Sequence, residues 1–249
     1  MQSSLWLARI GPVSNGARLV CLPHAGGGTG IYRSWASELP KLEVWAATLP
    51  GREGRFVEPP LRDLRPMVDG IAAELQAGGA RPTVLFGHSM GAILAFETAA
   101  ALDRLGAAPA LVLVSGSRAP QEVHRDREML STLDDAALIA SLRELGGTPA
   151  TVLESVEFME LLLPILRADL AALERYAPRP GTTVRAPLVA LGGDADPDVG
   201  EADLLAWEAY SATGFRHALF PGDHFYLEGS RRALLDRIAA EIAALPRSV

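Results

Sequence analysis

Short runs of consecutive apolar residues alternate with longer stretches of helical period along this chain. Leu19–Pro23, Val44–Leu49, Thr83–Phe86, Leu111–Val114, Leu188–Leu191 and His217–Phe220 have strand length, and several are apolar at successive positions. Strands of that kind are covered on both faces, as in a parallel sheet between helices. A weaker pattern predicts one more strand around Leu5–Ile10. Helices are predicted over Leu64–Gln76, ahead of a Gly-Gly break, and over Gly91–Leu105, which stops at Gly106, a natural helix terminator. The last helix is expected to start at Ser230 as N-cap and to align Leu234, Ile238 and Ile242 on one face.

The alternation stops between Arg118 and Val184, where no strand-like run appears. Two helical segments, Asp126–Leu145 and Val152–Tyr176, are predicted there, punctuated by Pro149, Pro164, Pro178 and Pro180. Such a connection is too long for a simple crossover. Residues 118–184 therefore read as a helical lid over the strand carboxyl ends, where open α/β sheets bind ligands. A decoration that only stabilises the sheet is the blander alternative. With no repeat or second linker, residues 1–249 are expected to form one α/β domain.

Composition narrows the function classes. The net charge is −7, from 23 basic and 30 acidic residues, which argues against a nucleic-acid partner because phosphate binding needs a local excess of cations. The one cysteine, Cys21, excludes an internal disulfide and a cysteine-rich metal site, and its apolar surroundings read as core. The N-terminus lacks a basic and then apolar leader, and no apolar run approaches the ~18 residues of a membrane span. A cytoplasmic monomer with no metal and no cofactor is the expectation.

The chemistry concentrates at three strand ends. Thr83-Val-Leu-Phe-Gly-His-Ser89-Met-Gly91 is a strand running through G-x-S-x-G into a helix. A turn that tight projects the serine hydroxyl above the sheet, and the glycines make room for it. A serine needs a base, and in this arrangement the acid and then the histidine follow it in the chain. His24 and His88 precede Ser89, His124 falls in the lid and His217 begins a strand, which leaves His224 in Pro221-Gly-Asp-His-Phe225. The acid belongs to the loop Gly192-Gly-Asp194-Ala-Asp196-Pro-Asp198. Asp194 is readily engaged by its own turn and Asp198 by capping the next helix, so Asp196 is the better partner for His224, with Asp194 the rival. The amide of Met90 and that of Ala25, in Leu22-Pro-His-Ala-Gly-Gly-Gly28, are candidate oxyanion donors. His24, Gly26 and Phe225 flank these groups and are candidates to touch substrate. A phosphate-binding reading of the triple glycine is weak, since no G-x-x-x-x-G-K-[ST] follows.

Taken together, Leu22-Pro-His-Ala-Gly-Gly27, Leu49-Pro-Gly-Arg-Glu-Gly-Arg55, Gly87-His-Ser-Met-Gly91 and Gly222-Asp-His-Phe225 resemble the type II thioesterases that accompany polyketide synthases and nonribosomal peptide synthetases. The resemblance spans about residues 17 to 230, and its most specific part is the Leu49–Arg55 block, which from physics alone is only a charged turn. It implies an α/β-hydrolase fold with a mobile helical lid, with Ser89 as nucleophile, Asp196 as acid, His224 as base, and Ala25 and Met90 as oxyanion donors. It further implies hydrolysis of acyl or peptidyl thioesters on the phosphopantetheine arm of carrier proteins, clearing aberrant or stalled units. Arg118-Ala-Pro120 fits the family and Ser117 departs from it. Carrier docking would need a local patch, for which Arg62–Arg65 and Arg125–Arg127 are candidates. A carboxylesterase or lipase and a cyclising or releasing thioesterase domain are the alternatives. The nearness of both chain ends to the fold favours a discrete enzyme over an excised domain.

Overall fold

The computed structural model of the protein describes residues 5–14, 16–79, 81–125, 129–146 and 150–245. Seven strands form one sheet: β1 (Leu7–Arg9), β2 (Arg18–Leu22), β3 (Glu43–Ala47), β4 (Thr83–His88), β5 (Leu111–Ser115), β6 (Leu188–Gly193) and β7 (Phe215–Phe220). Their spatial order is β1-β3-β2-β4-β5-β6-β7; β1 pairs antiparallel with β3, and every other pair is parallel. Strand order reverses at β2, which lies between β3 and β4. A crevice at the carboxyl ends of such neighbours is where this class of sheet binds ligands.

The helices are α1 (Arg33–Glu38), α2 (Leu64–Ala77), α3 (Met90–Arg104), α4 (Asp135–Leu145), α5 (Ala150–Leu153), α6 (Val156–Glu174), α7 (Glu201–Leu205), α8 (Tyr226–Gly229) and α9 (Arg231–Ala243). Successive residues of the central strands feed opposite faces. Val20, Leu85 and Val112 pack with α2 and α3, whereas Cys21, Phe86 and Leu113 pack with Trp35 of α1 and Leu234 and Ile238 of α9. β2, β4, β5 and β6 are buried at every residue, which is why their sequences do not alternate. Cys21 is a free, buried core residue whose thiol burial pushes well above its ordinary pKa. Among the described residues no helix is long and apolar enough to cross a membrane.

The segment between β5 and β6 forms its own apolar cluster, centred on Leu138, Leu153, Met159, Leu163 and Leu166. Here the predicted helices need correction. The first begins at Asp135, not Asp126, because Asp134 caps it by accepting from the Ala137 amide at 2.8 Å. Residues 126–128, like Pro149, lie outside those described. The second is two helices, since Ser155 accepts from the Phe158 amide and restarts the chain as α6. Pro164 stays inside α6 and does not end it. Ser230 is the N-cap residue of α9, as expected, but its hydroxyl donates to the Pro221 carbonyl at 2.6 Å and does not cap the helix. Gly200, not Asp198, is the N-cap of α7.

Behind the end of β4, a buried polar chain joins three elements. His88 Nδ1 lies 2.9 Å from Ser115 Oγ, which is 2.7 Å from the Tyr226 hydroxyl. His88 is fully buried, and burial holds this imidazole well below its ordinary pKa, assisted by His224 and His24.

Trp207 is fully buried, stacks edge-on with Phe96 and Tyr210, and donates its indole N–H to the Ser117 carbonyl at 2.8 Å. Trp207→Ala is expected to cost about 3–5 kcal/mol in urea unfolding, as large-to-small core substitutions do; a loss under about 1 kcal/mol would contradict this packing. His88 predicts a pH effect. Unfolded, the imidazole takes a proton below about pH 6.5; folded, it resists one. Its contribution is therefore complete above that pH and declines as pH falls below it. Urea midpoints measured between pH 7 and pH 5 should fall less steeply in His88→Gln than in the parent, and equal slopes would refute the assignment.

Candidate active site

Ser89 is the single residue between β4 and α3, with φ 55° and ψ −118°. A non-glycine residue in the left-handed region is unusual, and the neighbouring glycines make it feasible. A Cβ on Gly87 would sit 1.8 Å from the Gly91 carbonyl oxygen, and one on Gly91 would sit 2.1 Å from the Leu22 oxygen. The backbones of the turn and of the loop after β2 thus touch directly. Ser89 then opens onto a cavity of about 530 Å³.

His224 reaches the same cavity from the loop after β7, and its Nδ1–H donates to Asp196 Oδ2 at 2.7 Å. Asp196 follows β6, and its other oxygen accepts from the amides of Asp198 (2.9 Å) and Val199 (3.2 Å). Burial alone would raise the Asp196 pKa, but the bond from His224, that residue's charge and the two amides bring it below the ordinary value. Asp196 is therefore a fixed anion whose bond leaves His224 Nε2 as the free ring nitrogen. Asp194 is engaged elsewhere: its carboxylate accepts from the Gly222 amide at 3.0 Å and ties the loop after β6 to the loop that carries His224.

The amides of Ala25 and Met90 donate to no protein acceptor among the described residues. Met90 opens α3, where the first amides have no partner within the helix. His24, Gly26 and Phe225 all line the cavity. His24 donates Nδ1–H to its neighbour's carbonyl on Ala25 at 2.9 Å and meets the Phe225 ring edge-on at 5.0 Å. Burial, opposed in part by that bond, lowers its pKa. Leu130, Leu138, Leu142, Leu162, Leu166 and Leu170 complete an apolar wall, all from the segment between β5 and β6. Ser141 and Glu144 of α4 are polar interruptions in it.

Three further side chains, all in the Leu49–Arg55 block that carries the family resemblance, make ties that the sequence did not assign to them individually. Arg52 forms a two-point bond with Asp169 of α6, Nη1 to Oδ2 at 2.7 Å and Nη2 to Oδ1 at 2.8 Å, and both are buried. Glu53 accepts from the amide and hydroxyl of Thr29 and so pins the end of the glycine-rich loop. Arg55 lies over the Trp6 ring at 4.3 Å and bonds Glu58. The Leu49–Arg55 block is therefore a set of ties, not merely a charged turn. Of the two surface arginine stretches, Arg125 is paired with Glu122 and Asp203, and Arg127 is outside the described residues. Arg62 and Arg65 are exposed and make no ion pair among the described residues.

Comparison with known proteins points to one family. The thioesterase domain family matches residues 17–243. A probable cadicidin biosynthesis thioesterase of Streptomyces griseus is 39% identical over 240 residues, 96% of this chain, which spans 65% of that relative's length. Thioesterase PikA5 of Streptomyces venezuelae is 38% identical over 231 residues, 91% of this chain and 82% of the relative. Among solved structures, the type II thioesterase BorB of the borrelidin cluster superposes with TM-score 0.89 at 38% identity, covering 97% of this chain and 99% of its own. The chain belongs to the thioesterase family and has its α/β-hydrolase fold.

Proposed function

We propose that this protein is a discrete type II thioesterase that removes acyl, aminoacyl or peptidyl groups from the phosphopantetheine arm of carrier proteins in polyketide or nonribosomal peptide synthesis. One observation carries the proposal: His224, bonded to Asp196 at 2.7 Å, shares a leucine-walled cavity with Ser89, which is held on a strained turn. The likeness to thioesterases of such pathways supports it.

In this reading His224 Nε2 takes the Ser89 proton as Oγ attacks the thioester carbonyl. The oxyanion is held by the amides of Ala25 and Met90. The carbon–sulfur bond breaks, and the pantetheine thiol leaves with the proton held by His224. With a thiol pKa near 8.5, that departure needs less acid assistance than an alcohol's would. Water, deprotonated by His224, then attacks the acyl-serine and releases a carboxylic acid. Asp196 holds the imidazole tautomer and stabilises the imidazolium. The chemistry calls for no cofactor and no metal. Residues 118–184 act as the lid, and their leucines accept the acyl group. Arg62 and Arg65 offer the carrier a local cationic surface on an acidic protein, and the setting is the cytoplasm.

Ser89→Ala should lower kcat by roughly 10⁴-fold or more with the thermal midpoint retained; substantial turnover would reject the nucleophile. Asp196→Asn should cost about 10⁴-fold in kcat, and Asp194→Asn far less; the reverse order would move the acid to Asp194. An oxygen esterase is the competing activity, and the same acyl group presented as carrier thioester and as simple ester separates the two. The proposal requires higher kcat/KM for the thioester, and preference for the ester would overturn it.

A further inference from the structure

The Arg52–Asp169 pair is buried, with side chains 6% and 0% exposed, and it touches more than itself. Asp169 Oδ2 also accepts from the Gly26 amide at 2.8 Å, and Arg52 Nη1 also donates to the Gly27 carbonyl at 2.9 Å. The first group belongs to the Ala25–Gly26 peptide and the second lies two residues after Ala25, which lines the cavity and whose amide has no protein acceptor among the described residues. Asp169 sits on α6 between Leu166 and Leu170, both of which line the acyl cavity. Among the described residues Arg52 Nε is buried with no acceptor, and the guanidinium's hydrogen bonds go to Asp169 and Gly27.

We infer that Arg52 and Asp169 are positioning residues that hold the oxyanion loop from the lid helix and keep it electrically neutral. The inference rests on the role proposed above for the Ala25 amide. By accepting the Gly26 N–H, the Asp169 carboxylate fixes the peptide plane next to Ala25 and removes Gly26 as a competing donor. A bare carboxylate there would oppose the negative charge that develops on the substrate oxygen, since a low-dielectric site screens little. Arg52 cancels that charge with a rigid fork matched to a carboxylate, a geometry lysine cannot reproduce. The two residues therefore act on the transition state through the loop, without touching the substrate. Because the anion comes from α6 and the cation from the Leu49–Arg55 block, the hole is assembled only when the lid helix is seated.

The arrangement makes the two partners unequal, which a purely structural ion pair would not. Arg52→Gln leaves an unneutralised carboxylate beside the hole. Asp169→Asn leaves a cation there instead, which does not oppose an oxyanion. The full-length chain and the variants Arg52→Gln, Arg52→Lys, Asp169→Asn and Arg52→Gln/Asp169→Asn would be compared with an acyl-pantetheine thioester. Active sites are counted by fluorophosphonate labelling of Ser89, and affinity for an alkyl boronic acid reports the tetrahedral adduct at equilibrium. Per labelled site, Arg52→Gln should lose about 10²-fold in kcat, the scale of one oxyanion donor, and a comparable factor in boronic acid affinity, with KM little changed. Arg52→Lys should fall between it and the parent. Asp169→Asn should lose less than Arg52→Gln, and the double variant should regain roughly tenfold over Arg52→Gln.

Variants that lower the thermal midpoint and the count of labelled sites, while kcat per site and boronic acid affinity stay at the parent's values, would show a structural pair only and overturn the inference. Equal losses in Arg52→Gln and Asp169→Asn would overturn it as well. If Arg52→Gln yields no folded protein, Arg52→Lys against the parent carries the test: a lower kcat per labelled site and weaker boronic acid binding at unchanged KM support the inference, and parent values for both overturn it. A parent chain that labels at Ser89 and binds the boronic acid but does not cleave thioesters would refute the proposed substrate and leave this comparison readable.

Discussion

A strand that passes into a helix through one residue leaves that residue no ordinary backbone conformation. Ser89 meets this constraint with φ 55°, at a cost of order 1–3 kcal/mol that the surrounding packing must offset. The offset is visible: every residue of β4 is buried, and so is most of α3. The constraint also places the rest of the site. Gly91 must lack a side chain because the Leu22 carbonyl approaches it, and that approach seats the loop bearing His24 and Ala25 beside the serine. Ser89 and the loop carrying the Ala25 amide are thus positioned by a single backbone contact at the point where strand order reverses.

The parts that meet there differ in how they are held. His224 and Asp196 come from loops after adjacent strands, cross-linked by the Asp194 bond to the Gly222 amide. The acyl wall comes from a segment with its own apolar cluster, which reaches the sheet layer at Ala25 and through Arg52–Asp169. A buried ion pair is weak evidence for stability, because desolvation offsets much of the attraction. Its value here is registry, since a fork and a carboxylate meet in one relative orientation. The same pair links α6, which carries part of the leucine wall, to the loop that bears the Ala25 amide.

Much of this was legible in the chain because it is local. The step from β4 through Ser89 to α3 is written in nine consecutive residues, and Gly106, with φ 72°, sits just past the helix end. The preference for Asp196 over Asp194 rested on Asp194 being engaged by its own turn, and there the structure differs: Asp196 accepts the amides of its own turn, while Asp194 reaches the Gly222 amide of another loop. The N-terminal strand was also legible, though it pairs antiparallel at the edge. What escaped was short or distant. α1 and α7, of six and five residues, carry too few turns to show a helical period. Ser155 and Asp134 reset helices inside apolar stretches that read as continuous. The Arg52–Asp169 bond joins residues 117 positions apart, and His88, Ser115 and Tyr226 belong to three separate motifs. No periodicity connects such partners, and only the folded arrangement brings them together.

The central claim is that the acyl group passes through Ser89. Rapid quenching of the protein during turnover of an acyl-carrier thioester, followed by intact-mass and peptide analysis, tests it directly. The account predicts one acyl adduct per chain, located on Ser89 and accumulating further in His224→Ala when acylated by an activated ester, because water then lacks its base. An adduct on another residue, or steady hydrolysis with no adduct even in that variant, would contradict it.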